Sequence, residues 1–305
     1  MSPSQSQGGA PPCPGPDPQP RGPRSFAVPP GAVDTHAHVI GLPPDYPLVD
    51  SRSYTPPAAT PEAYLHMLDA TGMAHGVLVQ VSVHGVDNRL MLQTLQAQPK
   101  RLRGIAVMPL GLPARAYEEA RSAGVVGLRL NVLYGGGIGF DTLEDYGALA
   151  KEMGWHLQFL VDTRDLPRLA PRIARLPVPF VVDHMGHFPV AQVAPDDAAF
   201  QTLVSLVRDG GWVKLSGAYR LSEGEPPYAD TTAYAQRLIE AAPDRCVWGS
   251  DWPHVAHWRT MPNVGTLLDT LALWAPDEQL RHDILVSNPQ RLYRFAAPPG
   301  DETSP

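Results

Sequence analysis

The sequence predicts an α/β fold, a (β/α)8 TIM barrel formed by a single domain. Eight short apolar runs alternate with helix-like segments along residues 29–296. The runs are rich in Val, Leu and Ile without strict polar alternation, which is typical of parallel strands covered on both faces. No glycine-rich G-x-G-x-x-G turn follows the first run, and this disfavours the competing doubly wound open sheet.

The predicted strands and helices follow one another regularly. The strands span residues 32–37, 75–81, 102–108, 125–131, 156–161, 179–184, 211–216 and 246–251. Helix-like segments lie between them, among them 61–72, 113–124 and 142–154. Each of these three segments ends in glycine, a common helix stop. This alternation is the pattern that closes into a barrel.

The two ends of the chain differ in composition from the predicted barrel. Residues 1–28 are crowded with Pro and Gly and cannot offset their ordering entropy by apolar burial, so we expect a disordered tail. Residues 297–305 resemble a second loose tail. The predicted organisation is therefore a tail at 1–28, a barrel at 29–296 and a tail at 297–305.

Charge and composition exclude several classes of partner. The formal net charge of −7, without a run of Lys or Arg, argues against a nucleic-acid surface. No stretch approaches the roughly 18 consecutive apolar residues of a membrane span. Two cysteines make no disulfide framework, and the amino terminus lacks the basic start and apolar stretch of a signal peptide. We therefore expect a cytoplasmic protein; the sequence does not predict its oligomeric state.

Three predicted strands end abruptly in His or Asp. VDTHAH carries His36 and His38, VVDHMGH carries His184, and VWGSDWPH carries Asp251. The carboxyl ends of barrel strands surround one pocket, so these four side chains are expected to converge. His36 and His38 are two residues apart, so both side chains face the same way on an extended strand.

Three imidazoles and one carboxylate suit hydrolytic chemistry. Asp251 can take a proton from water as the water attacks a carbonyl, while imidazoles polarise that carbonyl. The same four side chains can instead hold one Zn²⁺ through three nitrogens and one oxygen. Arg129 lies inside the apolar run VVGLRLNV, where an unpaired guanidinium would be costly. We expect it to bind a carboxylate, either on a ligand or on a buried internal residue.

The motifs DTHAH, VVDHMGH, VKLSGAYR, WGSDWPH and SNPQRLYRF resemble the amidohydrolase superfamily in its amidohydrolase 2 branch. Within that branch, residues 25–296 are most similar to the 2-pyrone-4,6-dicarboxylate lactonase group. The resemblance implies a hydrolase that opens a carboxylate-bearing lactone. It also implies that Asp251 is the base and that His36, His38 and His184 surround the carbonyl.

The resemblance further implies a substrate-binding set. Four positions match residues that line the lactonase pocket or bind carboxylate there: Tyr54, Ser82, Arg129 and Arg220. The lactonases carry two further arginines where this chain has Gly135 and His187, so His187 enters the set without a fixed charge. With fewer cationic side chains in the pocket, the expected substrate is a monocarboxylate or sugar-acid lactone and not the pyrone dicarboxylate.

The resemblance also bears on metals. Strand four reads VVGLRLN, without the lysine or glutamate that bridges two ions in relatives, so a two-metal site is not expected. We expect no required cofactor, because the branch includes metal-independent lactonases and a lactone is an activated electrophile. A single Zn²⁺ is the alternative, and it would suit a second function, decarboxylation of an aromatic or enol acid. A binding protein on an inactive barrel is disfavoured by the intact set of four.

Overall fold

Eight strands lie side by side in chain order, each parallel to the next, in a computed structural model that describes residues 9–295. The strands are β1 Val33–Ala37, β2 His75–Val79, β3 Leu102–Ala106, β4 Val125–Asn131, β5 His156–Leu160, β6 Phe180–Val182, β7 Trp212–Leu215 and β8 Cys246–Trp248. Each lies within a predicted run, so the (β/α)8 prediction is confirmed.

Hydrogen bonds between the first strand and the last complete the barrel. The Thr35 hydroxyl donates to the carbonyl oxygen of Trp248 at 2.7 Å. The backbone N–H of Asp251 donates to the His36 carbonyl at 2.8 Å. The segment after β8 therefore runs beside the end of β1, which brings Asp251 next to the His-x-His pair.

Helices cover the outside of the barrel. They are α1 Pro61–Thr71, α2 Arg89–Ala97, α3 Ala114–Ala123, α4 Leu143–Met153, α5 Leu166–Ile173, α6 Ala198–Arg208, α7 Ala218–Leu221, α8 Thr232–Ala241, α9 Val264–Trp274, α10 Glu278–His282 and α11 Asn288–Tyr293. In α6, a stripe of Phe200, Leu203, Val204 and Val207 is buried. This spacing gives the helix one buried apolar face.

Residues 9–28, which composition predicts to be disordered, lie against the barrel. The Trp258 indole N–H donates to the Pro12 carbonyl at 2.7 Å, and the Cys13 N–H donates to the Thr55 carbonyl at 3.0 Å. The compositional prediction considered only apolar content within the segment. Its order comes instead from backbone groups that pair with the barrel, and local composition does not reveal such partners.

Residues 1–8 and 296–305 are outside the part of the chain that the structure describes, and the predicted tail at 297–305 falls there. Within residues 9–295, no helix has the length and apolar character that crossing a membrane requires.

Candidate active site

The structure brings together the four side chains that the strand ends predict to converge. The Nε2 atoms of His36 and His38 each lie 3.8 Å from Asp251 Oδ1, and Nε2 of His184 lies 3.8 Å from Asp251 Oδ2. All four residues are buried. The carboxylate therefore stands at the centre of a ring of imidazoles at the carboxyl end of the barrel.

Two of these residues have unusual backbone conformations. Asp251 has φ 60° and His184 has φ 51°, in the left-handed region that residues other than glycine rarely adopt. Such conformations persist only where the surrounding structure holds them, and they occur often at functional sites. The turns after β6 and β8 are thus shaped to direct these two side chains into the site.

The two oxygens of Asp251 have different surroundings. Oδ2 accepts hydrogen bonds from the Tyr219 hydroxyl at 2.6 Å and from Arg220 Nε at 2.5 Å. Oδ1 accepts none from any described residue and faces His36 and His38. Burial acts to raise the pKa of Asp251, but Arg220 and the imidazoles outweigh it and hold that pKa well below its usual range. The carboxylate is therefore ionised, with one oxygen free to accept a proton.

The hydrogen-bond partner of His38 fixes the position of its proton. Its Nδ1 lies 2.7 Å from the Val79 carbonyl oxygen, which can only accept. Burial lowers the pKa of His38 well below its usual value, so the ring is neutral. With the hydrogen on Nδ1, the Nε2 atom carries a lone pair. His38 can therefore accept a hydrogen bond at the site or bind a metal ion through Nε2, but in this tautomer it cannot donate to a carbonyl there.

A buried charged layer supports the site from below. His36 Nδ1 lies 3.3 Å from both Asp183 Oδ1 and Lys214 Nζ, and the ammonium donates to the Thr35 carbonyl at 2.7 Å. Burial lowers the pKa of Lys214 to about 8, although Asp183 opposes the shift. Arg129 Nη2 lies 3.4 Å from Asp183 Oδ2. Of the two partners expected for Arg129, the structure shows the internal carboxylate.

Sequence reasoning missed Tyr219, Asp183 and Lys214. Tyr219 directly precedes Arg220 in GAYR, Asp183 precedes His184 in VVDH, and Lys214 lies within the apolar strand VKLS. For Lys214, the charged side chain inside an apolar strand was the available signal, as it was for Arg129.

Two cavities adjoin the site. The inner cavity has a volume of about 10 Å³, and its walls include Tyr54, Ser82 and Arg129 beside Asp251. The hydroxyls of Tyr54 and Ser82 lie 3.2 Å apart. This volume corresponds to roughly one water molecule.

The outer cavity has a volume of about 330 Å³ and shares Tyr134 and Arg220 with the inner one. His187 lines this outer cavity, with Nε2 3.4 Å from the Tyr134 hydroxyl. The predicted binding residues therefore surround two adjacent spaces that share two side chains. A cavity of about 580 Å³ at the opposite, amino end of the barrel includes none of them.

The donor set fits a single divalent cation. One ligand atom each of His36, His184 and Asp251 lies within 4.8 Å of the others. Nε2 of His36 and Oδ1 of Asp251 are buried and have no hydrogen-bond partner among the described residues. His38 donates its other ring N–H to a backbone carbonyl, as metal-bound histidines do. The residues thus fit the single-ion alternative, and the prediction that no cofactor is required stays a prediction.

Comparisons with known proteins identify relatives of this chain. The amidohydrolase sequence family matches residues 33–295. The 4-sulfomuconolactone hydrolase of Rhizobium radiobacter is 37% identical over 293 residues, which cover 94% of this chain and 97% of that protein. The 2-pyrone-4,6-dicarboxylate hydrolase of Comamonas testosteroni is 34% identical over 282 residues, covering 88% of this chain and 92% of the relative.

A solved structure has the same fold. It is a probable 2-pyrone-4,6-dicarboxylic acid hydrolase from Acinetobacter baumannii with citric acid bound, which superposes with a TM-score of 0.77 at 27% identity. The match covers 87% of this chain and all of that one. The family match and the similar proteins both extend over nearly the whole barrel. The chain therefore belongs to the amidohydrolase family.

Proposed function

We propose that this protein is a hydrolase that opens a carboxylate-bearing lactone. The observation that carries the proposal is the ionised Asp251, whose free oxygen faces two imidazoles beside a pocket lined by two arginines. The relatives named above are hydrolases of lactones, which supports the reaction class. The zinc-dependent decarboxylase alternative has no comparable support.

The attacking water is oriented by two acceptors. Asp251 Oδ1 and His38 Nε2 lie 3.8 Å apart, and both present lone pairs. A water that donates one hydrogen to each directs its own lone pair away from them, toward a carbonyl carbon. Asp251 then takes the proton as the new C–O bond forms.

The oxyanion is stabilised by the other two imidazoles. Lys214 can donate to Nδ1 of His36, and the Ser216 hydroxyl, 2.9 Å from Nδ1 of His184, can donate there. Each ring then carries its hydrogen on Nε2 and donates to the carbonyl oxygen as negative charge develops. The ring C–O bond breaks next, and Asp251 returns its proton to the leaving oxygen. The net reaction consumes one water and yields a hydroxy acid or its tautomer.

A divalent cation, if bound, would be held by His36, His38, His184 and Asp251 and would supply Lewis-acid polarisation of the carbonyl and a lowered pKa of water.

The arginines set the charge of the substrate. Arg129 reaches the inner cavity while paired with Asp183, and its Nε is buried without a partner among the described residues. Arg220 borders both cavities. Since Gly135 and His187 stand where lactonases of the resembled group carry arginines, we propose a monocarboxylate or sugar-acid lactone acted on in the cytoplasm.

A panel of lactones tests the proposal. Monocarboxylate, sugar-acid and pyrone dicarboxylate lactones are incubated with the protein in H₂¹⁸O, and products are identified by mass spectrometry. We expect the anionic lactones to gain one water, with ¹⁸O in the new carboxyl group. A folded protein that opens none of them would exclude the proposed function.

A further inference from the structure

The guanidinium of Arg220 forms part of the wall between the two cavities. Its Nε donates to Asp251 Oδ2 at 2.5 Å, its Nη2 donates to the Val255 carbonyl at 3.0 Å, and its Nη1 donates to the Tyr134 hydroxyl at 3.3 Å. Asp251 is the one charged partner among the described residues. The arginine thus occupies an oxygen of the proposed base and closes the inner space at the same time.

The sizes of the two cavities require this wall to move. A lactone ring is several times larger than the single water that the inner cavity admits, whereas the outer cavity of about 330 Å³ can hold one. Arg220 and Tyr134 line both spaces. A substrate that reaches Asp251 from the outer cavity must therefore displace these two side chains.

Tyr219 can keep Asp251 in place when Arg220 moves. Its hydroxyl donates to the same Oδ2 at 2.6 Å, and its side chain is buried. Its ring packs edge-on against His254 and His257, with centroids 5.3 and 4.8 Å away. Both donors border the outer cavity, but the Tyr219 ring is held in place by this packing and can remain on Oδ2.

An anionic substrate offsets part of the cost of the displacement. Breaking a buried ion pair leaves an uncompensated charge and is costly. A carboxylate in the outer cavity offers the guanidinium a second partner of the same chemistry, so one charge-assisted pair replaces another. An uncharged lactone offers no such replacement and leaves Arg220 on Asp251.

We propose that Arg220 is a substrate-operated gate: a carboxylate on the incoming lactone withdraws it from Asp251 Oδ2, which opens the inner cavity to the lactone ring. The gate deepens the proposed function and rests on it. It makes the substrate carboxylate a requirement for turnover as well as for binding.

A crystal structure with isophthalate, an aromatic dicarboxylate without an ester bond, tests the movement independently of hydrolysis. We expect Arg220 to contact the ligand carboxylate and to have left hydrogen-bond distance of Asp251, with Tyr219 still bonded to Oδ2. Arg220 remaining on Asp251 beside bound isophthalate would overturn the gate. Failure of isophthalate to bind at millimolar concentration, measured by calorimetry, would overturn it too, because no carboxylate then competes for the arginine.

Kinetics distinguish a gate from a simple binding residue. An anionic lactone and its methyl ester are compared for the wild type and Arg220→Met. The gate predicts opposite effects: kcat/KM for the anion falls about 100-fold, while kcat for the ester rises about tenfold. An unchanged or lower kcat for the ester would overturn the gate. Arg245→Met makes the same exchange at the amino end of the barrel. It should leave kcat/KM for the anion and kcat for the ester within about twofold of the wild type.

The hydrolysis assay and the isophthalate structure distinguish failure of the proposed function from failure of the gate. A wild type that hydrolyses no lactone contradicts the proposed function, while the isophthalate structure still decides whether Arg220 responds to a carboxylate.

Discussion

Asp34 accepts two hydrogen bonds from Ser250, one from its backbone N–H and one from its hydroxyl, each at 2.7 Å. Asp34 lies two residues before His36, and Ser250 lies one residue before Asp251. The pair therefore connects the strand that carries two imidazoles to the turn that carries the carboxylate. It sets their separation across the junction of β1 and β8.

Asp34→Asn should loosen this junction. The amide turns one acceptor into a donor that faces the Ser250 donors, so we expect the free energy of unfolding to fall by about 1–3 kcal/mol. Lactone turnover should fall as well, because Asp251 loses its fixed distance to the imidazoles. Urea unfolding and kcat measure the two effects. Asp69→Asn, which changes an exposed ion pair with Arg101, is the matched control. If both variants lose equally little unfolding free energy and kcat, the role of Asp34 is contradicted.

Much of this arrangement could be predicted from the sequence. The Val-, Leu- and Ile-rich runs identify the eight strands, and their His and Asp ends identify the four side chains that meet. Local sequence gives residue types at strand ends, but partners such as Asp183 for Arg129 come from other strands. The bond between Arg220 and Asp251 depends on how α7 lies over the turn after β8, which no spacing reveals. The contacts of residues 9–28 were missed for the same reason.

Arg129→Met tests a residue with two assigned roles. Asp183 keeps Lys214 as a partner but loses a guanidinium, and breaking a buried pair costs about 3 kcal/mol of unfolding free energy. If Arg129 also binds the substrate, KM should rise much more for carboxylated lactones than for uncharged ones. Thermal melts and kinetics on both substrates give the answer. An equal rise in both KM values would leave Arg129 with a structural role alone.

The amino-terminal segment should contribute to stability. Removing residues 1–18 deletes the hydrogen bonds of Pro12 with Trp258 and of Cys13 with Thr55, each worth about 0.5–1.5 kcal/mol. We expect a lower melting temperature by circular dichroism. Trp258→Phe should lower the free energy of unfolding less in the truncated protein than in the full chain. The indole N–H has no Pro12 carbonyl to donate to once the segment is removed. A truncated protein that melts with the wild type would contradict the observed contacts.

Metal binding can be measured apart from activity. The donor set predicts that chelator-stripped protein takes up one Zn²⁺ per chain, and that His184→Asn weakens the affinity at least about tenfold. Calorimetry and elemental analysis give the stoichiometry, and binding of two ions or none would contradict the prediction. Hydrolysis by the stripped protein would support the sequence prediction of no required cofactor. A loss restored by one equivalent of Zn²⁺ would overturn that prediction.

Asp251→Asn tests the central claim most directly. Single-turnover hydrolysis of an anionic lactone is compared with the wild type, after circular dichroism has shown that the variant is folded. The account predicts a fall in rate of about 10²–10⁴-fold, because the amide cannot take the proton of the attacking water. A folded variant that hydrolyses the lactone at the wild-type rate would contradict it.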